Sequence, residues 1–367
     1  MDQAGFEAAL ARQKDRSRAA GKMEAGDWTV LEEDRIEEFV GYERLEAEVR
    51  ITRWREVKVK DKTRYQLVFN LTPFYPEGGG QVGDTGTLTD ASGNSIRILT
   101  TRKENELILH ITDRLPETLA GNFTAAVDAD KRTETTLNHT ATHLLHEALR
   151  DVLGAHVEQK GSLVKDEALR FDFSHFEAMS AEQLKEVERL VNQQVLANAP
   201  TRIESMTLDE AKEKGAAALF EAKYADSVRV LTIGADDFSI ELCGGTHVAR
   251  SGDIGCCHIV AESGIASGVR RIEAITGEGA LAYFGEQEAR LARVAERLKA
   301  KPEQVESRVE SLLERNRSLE KELERLKAKL ASSAGNDMLN EAQDIAGVRL
   351  LAKQLEGQKI AGAPGLK

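Results

Sequence analysis

Three histidines and one cysteine form two short motifs that could bind a metal ion. His139 and His143 lie four residues apart in a segment whose apolar residues recur at helical spacing, and Cys243 and His247 are separated by two glycines and a threonine. Positions i and i+4 of a helix share one side of it, so two imidazoles placed in this way can hold one ion. One thiolate and three imidazoles favour Zn²⁺ over the hard cations, which prefer oxygen. The sequence therefore predicts a zinc site.

Each motif alone is a weak signal, because a histidine in a helix is more often a core or surface residue than a ligand. His146 shares a face of the predicted helix with His143 and is an alternative ligand. Thr140 follows His139 where the metalloprotease motif HExxH has glutamate, so a metalloprotease is not predicted. Spacing leaves two arrangements open, four protein ligands as in structural sites or three and a water as in catalytic sites.

The composition indicates a chain that can form two or more domains. Of its 367 residues, 41% are apolar and 31% are charged, and the net charge is −12. No apolar run approaches the length of a membrane span, and the N-terminus lacks a signal-peptide pattern. The odd number of cysteines, three, fits a reducing compartment, so we expect a cytoplasmic protein. The negative charge argues against nonspecific nucleic-acid binding but permits RNA held by a local basic patch.

The hydrophobic pattern divides the chain into five segments and predicts an α+β fold. Short strands with turn signals between them suggest a small β-barrel early in the chain. The segment that follows mixes helices with a largely antiparallel sheet and contains the predicted zinc ligands. The predicted segments are residues 1–28, with an amphipathic helix over 4–24; 29–130, the barrel; 131–277, the zinc-containing core; 278–331, long helices; and 332–367, in which residues 336–367 are too few to bury a core of their own.

A glycine-rich stretch interrupts the predicted barrel. Residues 78–86 contain five glycines, which permit unusual backbone angles and the close approach of another segment. The stretch matches neither the P-loop nor the dinucleotide-binding fingerprint. We therefore expect a structural loop that packs against a neighbouring element.

The fourth segment carries a heptad repeat. Apolar residues alternate at spacings of four and three from Val305 to Leu330, and Asn316 occupies an a position, where a polar residue specifies register. Pro302 separates this helix from an earlier one. The seam predicts a coiled coil, formed either with a second subunit, as a homodimer, or as an intramolecular hairpin.

These motifs together resemble the C-terminal half of a bacterial alanyl-tRNA synthetase. The resemblance covers nearly the whole chain and rests on Asn138–His143, Cys243–His247, Phe74–Gly86, Arg170–His175 and the helical tail. The histidine and cysteine motifs are shared with the editing domain of threonyl-tRNA synthetase and with free-standing alanyl-tRNA editing proteins. The glycine-rich run is specific to the alanyl group. No stretch resembles the class II aminoacylation motifs, so we expect a fragment that carries the editing function alone.

The resemblance implies zinc-dependent hydrolysis of the ester in tRNA(Ala) mischarged with serine or glycine. It assigns His139, His143, Cys243 and His247 as the zinc ligands. It implies that Gln159 lines the site and helps to discriminate the aminoacyl group, with Thr140 and Thr142 as weaker candidates. The glycine-rich loop is then expected to pack beside the editing core and to help seat the tRNA terminus.

Two other interpretations remain open at this point. The chain could be a free-standing trans-editing protein, although its basic N-terminal helix and short tail argue against that. It could also be a noncatalytic, zinc-stabilised module for RNA binding and dimerisation. Deacylation measured with the metal removed and restored would separate an enzyme from such a module.

Overall fold

The structure is a computed structural model. It describes residues 24–33, 38–59, 62–105, 107–216, 227–340, 343–345 and 347–350. The chain divides into two compact units, Met1–Tyr283 and Phe284–Lys367. The predicted N-terminal helix lies outside the described residues except at its end, where Glu24–Ala25 is a short strand.

The first part of the larger unit consists of short strands. In the two larger sheets of this part, neighbouring strands are antiparallel. Two further short strands, β3 and β7, pair in parallel. Numbered along the chain, the strands are β1 (Glu24–Ala25), β2 (Thr29–Val30), β3 (Glu38–Phe39), β4 (Glu46–Val49), β5 (Ile51–Val59), β6 (Lys62–Phe69), β7 (Leu71–Thr72), β8 (Gly86–Asp90), β9 (Ser95–Ile98), β10 (Thr100–Glu104), β11 (Leu107–Thr112) and β12 (Phe123–Val127).

These strands do not close into a barrel within the described residues, so the predicted barrel is wrong. One sheet runs β1-β5-β6-β11-β10, with β2 also on β5, and a second runs β4-β12-β8-β9. Neither path returns to its first strand. The two sheets instead share one apolar core, to which Ile51 and Phe69 contribute from the first sheet and Leu88 and Phe123 from the second. Packing one apolar face against another removes that surface from water without ring closure.

The second part of the larger unit contains the predicted zinc motifs and is α+β, as the sequence predicts. Strands β13, β14, β19 and β18 form one antiparallel sheet in that order, and β15, β16 and β17 form another. Strands β13 and β14 form an antiparallel hairpin. The elements are α1 (Ala129–Leu153), β13 (Gln159–Val164), β14 (Leu169–Ser174), α2 (Ala181–Ala197), β15 (Arg202–Thr207), α3 (Leu208–Glu213), β16 (Ser227–Ile233), β17 (Ser239–Leu242), β18 (Cys257–Ala266), β19 (Val269–Thr276) and the start of α4 (Gly277–Arg297).

Helix α1 is buried on more than its apolar face. It begins after Asp128, whose side chain accepts a hydrogen bond from the backbone of Lys131, and ends at Gly154, where φ is 111°. Apolar residues such as Leu144 and Leu145 join the core formed with the sheet and α2. A run of polar side chains is also buried, and buried polar groups require hydrogen-bond partners. They are Asn138, His139, Thr140, Thr142, His143 and His146.

The smaller unit is mostly helical, as the heptad repeat predicts. Helix α5 spans Val305–Asn340 and follows a short turn at Pro302–Gln304; two short strands, β20 (Gln343–Ile345) and β21 (Val348–Leu350), pair after it. The apolar side chains of the heptad seam are exposed, and Leu323 retains 52% of its accessible surface. No helix in the described part of the chain has the length and apolar character needed to cross a membrane.

The glycine-rich loop lies against β13, as predicted from its composition. Two backbone hydrogen bonds join them, from the Val164 amide to the Gly80 carbonyl at 2.8 Å and from the Val82 amide to the Val164 carbonyl at 3.1 Å. Gly80 has a φ of +89°, and a Cβ added there would lie 2.9 Å from the Cβ of Ser162. The approach therefore requires glycine at this position.

A buried ion pair holds α1 to the N-terminal sheets. Arg132 in the first turns of α1 pairs with Asp84 in the glycine-rich segment, and both are less than a tenth exposed. The guanidinium also donates to the carbonyls of Gly41, at 2.7 Å, and Pro73, at 3.1 Å. Three separate stretches of the N-terminal part thus converge on one side chain.

We predict that Arg132→Ala destabilises the protein strongly, because it leaves the Asp84 carboxylate buried without a counter-ion. The expected loss in the free energy of unfolding is about 3–5 kcal/mol. Arg202→Ala, which breaks the exposed pair with Asp237, is the control and should cost less than about 1 kcal/mol. Urea unfolding followed by circular dichroism measures both, and equal losses would contradict the role given to Arg132.

Candidate metal centre

Four side chains from distant parts of the chain converge on one point. His139 and His143 lie one turn apart on α1, and Cys243 and His247 lie in the loop after β17. The ligand atoms of these residues all lie within 4.8 Å of one another, so the group could hold a metal ion. The Cys243 sulfur is 3.6 Å from Nε2 of His139 and 3.2 Å from Nε2 of His247.

The loop that carries the cysteine is held by its backbone. Arg229 on β16 donates to the carbonyls of Cys243, at 3.2 Å, and Gly245, at 2.6 Å. Its guanidinium stacks on the ring of Tyr42 at 4.1 Å, and the Tyr42 hydroxyl donates to the Gly244 carbonyl at 2.5 Å. The loop position of Cys243 is therefore set by the N-terminal part as well as by β16.

Glycine is required at position 245 because of the ring of His139. A Cβ added to Gly245 would lie 2.1 Å from Cε1 of His139. No side chain can be accommodated at that distance without moving either the loop or the imidazole. The glycine thus allows the cysteine loop to approach α1 closely enough for the four ligand atoms to meet.

The second ring nitrogen of each histidine faces an oxygen of another side chain. Nδ1 of His139 is 2.7 Å from the Gln81 amide oxygen, and Nδ1 of His143 is 2.7 Å from a Glu241 carboxylate oxygen. Nδ1 of His247 is 3.4 Å from the Thr140 hydroxyl. Such contacts orient the rings of metal-binding histidines and leave Nε2 as the ligand.

The Nε2 atom of His143 supports its assignment as a ligand atom. Its Nε2 is buried and has no hydrogen-bond partner among the described residues. A buried polar atom without a partner is uncommon in a native protein and requires an explanation. A bound cation would supply the partner, and three imidazoles with one thiolate form a donor set suited to a tetrahedral, borderline-soft ion.

The electrostatics of the cluster favour a thiolate. Burial raises the pKa of Cys243, but the three surrounding imidazoles outweigh it, and the pKa lies well below its usual value. Burial also lowers the pKa of His143, but Glu241 and Cys243 outweigh that effect and raise the pKa to about 10. Burial lowers the pKa of His247 to about 3. The cysteine is thus in its ligating form, and a cation would take the place of the His143 proton.

Glu241 on β17 is a functional residue that the sequence analysis missed. It is 3% exposed, and its two oxygens lie 2.7 Å from His143 and 2.8 Å from Nδ1 of His146. Burial raises the pKa of this carboxyl, but His143 and His146 outweigh it and lower the pKa to about 2. His146 therefore lies beside the carboxylate, outside the four-residue cluster. No sequence signal marked it, because β17 buries Ser239 and Glu241 and leaves its two apolar residues half-buried.

Gln81 in the glycine-rich loop was also missed. Its side chain is fully buried, and its oxygen accepts from the Thr246 backbone amide at 3.0 Å in addition to facing His139. Its amide nitrogen donates to the Thr246 hydroxyl at 2.9 Å. One side chain therefore connects α1 with the loop that carries Cys243 and His247. Its sequence signal was a single amide among glycines, which gives no direction for the side chain.

A cavity of about 560 Å³ opens beside the cluster, and some of the other candidate residues line it. Gln159 at the start of β13 and Thr142 line it together with His139, His143 and Cys243. Thr140 does not line it; its buried hydroxyl donates to the Thr136 carbonyl at 2.8 Å and accepts from the Val248 amide at 3.2 Å. The geometry thus gives Thr140 a role in holding the loop of His247.

We predict that Gln81→Ala weakens metal binding, because it removes the acceptor that orients His139 and the contacts that position Thr246. The expected rise in Kd is roughly 10–100-fold, the range found for the partners of metal ligands. Competition with a chelating dye measures it. Gln66→Ala is the control, because Gln66 is equally buried but bonds to Arg55 instead. An unchanged Kd for Gln81→Ala would contradict this role.

Two family models match parts of this chain. The family model for threonyl and alanyl tRNA synthetase second additional domains matches residues 228–273, which include Cys243 and His247. The model for class II (A) tRNA synthetases matches residues 1–133.

Related proteins match over nearly the whole chain. An alanine–tRNA ligase from Chromohalobacter salexigens is 60% identical over 97% of this chain and 42% of that protein. Those from Shewanella loihica and Flavobacterium psychrophilum are 48% and 46% identical, over 100% and 97% of this chain and 42% and 41% of theirs. The chain spans about two fifths of the length of these relatives. With both family models and these identities in agreement with its motifs, the chain belongs to the alanyl-tRNA synthetase family.

Proposed function

We propose that this chain binds Zn²⁺ through His139, His143, Cys243 and His247 and hydrolyses the ester of tRNA(Ala) mischarged with serine or glycine. The observation that carries the proposal is that three of the four ligand residues line the same cavity as Gln159. A structural zinc site is usually closed by its four ligands, whereas a site that acts on substrate must be reachable. Access from a cavity therefore favours the enzyme over a noncatalytic zinc module.

The specificity of alanine charging explains why such an activity is needed. A pocket that fits alanine also admits the smaller glycine, and an apolar pocket rejects an added hydroxyl only weakly. Serine and glycine are therefore the expected errors, and a second site that hydrolyses them corrects both. Work of this kind takes place where proteins are made, in the cytoplasm.

The residues of the cavity have distinct tasks in this proposal. When bound, Zn²⁺ would supply Lewis acidity or anchor the substrate. Gln159 presents both a donor and an acceptor, which can pair with the seryl hydroxyl. Gln81 and Glu241 hold the histidine rings in place, and Tyr42 with Arg229 holds the cysteine loop.

We predict that Gln159→His lowers kcat/KM for Ser-tRNA(Ala) while the zinc content stays the same, because the bulkier ring fills the cavity and removes the amide. The unmodified protein should prefer Ser-tRNA(Ala) over Ala-tRNA(Ala) by roughly 10²-fold or more, since a site that bonds a hydroxyl is left with unpaired groups by the analogue without it. Deacylation of both substrates with labelled amino acids measures the preference. Gln193→His on the exposed face of α2 is the control. Equal rates on the two esters would leave only a nonspecific esterase.

The exposed heptad seam supports a second, separate proposal, that α5 pairs with a second copy of the chain. Nothing among the described residues of its own unit covers the seam, and Leu312, Leu319 and Leu326 all remain about half exposed. Asn316 bonds to Glu320 on the same helix at 2.9 Å, a contact it could exchange for its mate in a parallel dimer.

We predict a dimer in sedimentation equilibrium and its dissociation by Leu323→Asp, because that change buries a charge in the seam. Lys321→Asp, on the opposite side of the heptad, is the control and should leave the dimer intact. A monomeric unmodified chain would instead favour the intramolecular hairpin.

A further inference from the structure

A second cavity adjoins the metal cavity. It has a volume of about 510 Å³, and the two cavities share four lining residues, Glu77, Gly78, Lys103 and Ser162. Both lie in the larger unit, between the glycine-rich loop, β10 and β13. The shared residues make one continuous groove that begins at the metal ligands and leads away from them.

One wall of the second cavity is cationic. Arg102 and Lys103 are consecutive residues of β10, and both line it. Arg102 lies 3.3 Å from the Glu77 carboxylate, so part of its charge is compensated. Lys103 lines the metal cavity as well, which places its side chain at the junction of the two.

The strand that carries these cations is fixed by hydrogen bonds. The Thr101 hydroxyl donates to the Asp84 carbonyl at 3.0 Å, and the Glu77 amide donates to the Thr101 carbonyl at 2.9 Å. The side chain of Thr101 is fully buried. The cationic wall therefore stands on a rigid support, and the glycine-rich loop is tied to it.

The glycine-rich loop, which adjoins β10, offers backbone without side chains. Gly78 and Gly80 line the second cavity, and Gly79 lies between them with a φ of +59°. A Cβ added at Gly79 would meet nothing within 4 Å, so the space beside the loop is open. A polar chain can approach such a wall closely, and backbone amides in glycine-rich loops are suited to contact with phosphate.

The proposed substrate, an aminoacyl-tRNA, has a 3′ end that the groove could accommodate. An aminoacyl ester at the metal ligands places the 3′-terminal nucleoside in the first cavity, and the junction with the second cavity offers the chain of the nucleic acid a path onward. The first group on that path is a phosphodiester, which is anionic. The net charge of the protein is −12, so a local cation is needed to offset repulsion of a polyanion.

We infer that the second cavity is a subsite for the nucleotide that precedes the 3′-terminal one, with Lys103 facing the phosphodiester between them. This inference rests on the proposed hydrolysis of aminoacyl-tRNA and adds the contact by which the end of the RNA is held. Ser162 and the glycine backbone form the neutral side of the subsite, and Arg102 compensates the Glu77 carboxylate, which also lines both cavities.

Two short substrates isolate the phosphodiester. Seryl-adenosine, esterified at the 3′ position, lacks it, and 3′-seryl-CpA contains one. In Lys103→Ala, the ratio of kcat/KM for the dinucleotide to that for the nucleoside should fall about tenfold, the effect of losing one charge-assisted contact. The dependence of the dinucleotide rate on salt should also become shallower, by roughly 0.7 in the logarithmic slope. Lys103→Arg should restore most of the ratio, and Lys185→Ala on the exposed face of α2 is the charge-matched control.

The outcomes separate the subsite from the proposed function. An equal loss on both substrates, or no loss on either, overturns the role of Lys103 at the phosphodiester. If the unmodified protein hydrolyses neither ester, the proposed function fails. Binding of the stable 3′-amide analogues of the same two compounds then still tests the subsite. A Kd for the dinucleotide amide that Lys103→Ala does not raise relative to the nucleoside amide would overturn it.

Discussion

Burial of a helix that carries polar side chains is the constraint on which the rest of this structure depends. Helix α1 cannot be turned so that both its leucines and its histidines face the core unless other segments supply partners for the polar groups. Asn138 obtains them from the carbonyls of Lys165 and Asp166 and from the Thr276 hydroxyl, at 2.8, 3.1 and 2.8 Å. The connections around α1 are therefore dictated by its hydrogen-bonding needs.

The partners of the histidines come from three separate parts of the chain. Gln81 belongs to the glycine-rich loop, Glu241 to β17, and Thr140 to α1 itself. The N-terminal sheets thus contribute directly to the metal centre, through Gln81 and through Tyr42 on the cysteine loop. This dependence explains why a buried ion pair between Arg132 and Asp84 stands at the junction, since a shift there would move Gln81 relative to α1.

The buried anions around the candidate metal centre lie close to groups that can compensate their charge. The Cys243 thiolate and Glu241 are anions close to imidazoles, and burial makes each charge costly unless it is compensated. A divalent cation would compensate the charge of the thiolate and would also bind the unpaired Nε2 of His143. Farther out, the cationic wall on β10 offsets the net negative charge of the chain where an anionic ligand would pass. The groove thus joins the candidate metal ligands to the cations of β10.

That His139, His143, Cys243 and His247 come together, and the family, could be predicted from the sequence because both depend on local patterns. Two histidines four apart on an amphipathic segment, a CxxxH motif with glycines and a heptad repeat each state their geometry through spacing alone. The close packing of the glycine-rich loop was likewise predicted, from its glycine content.

Tertiary structure alone decided how the strands pair and which residues support the ligands. Alternation predicts that a strand has an apolar face but not which face will cover it, so the predicted barrel became two sheets around one core. Gln81 and Glu241 lie 58 and 98 residues from the histidines they contact, and no periodicity links positions so far apart. Thr140 and Thr142 are two residues apart on one helix, yet only Thr142 lines the cavity. Local spacing determines which side chains share a helix face, whereas the position of a cavity depends on what the other segments leave unfilled.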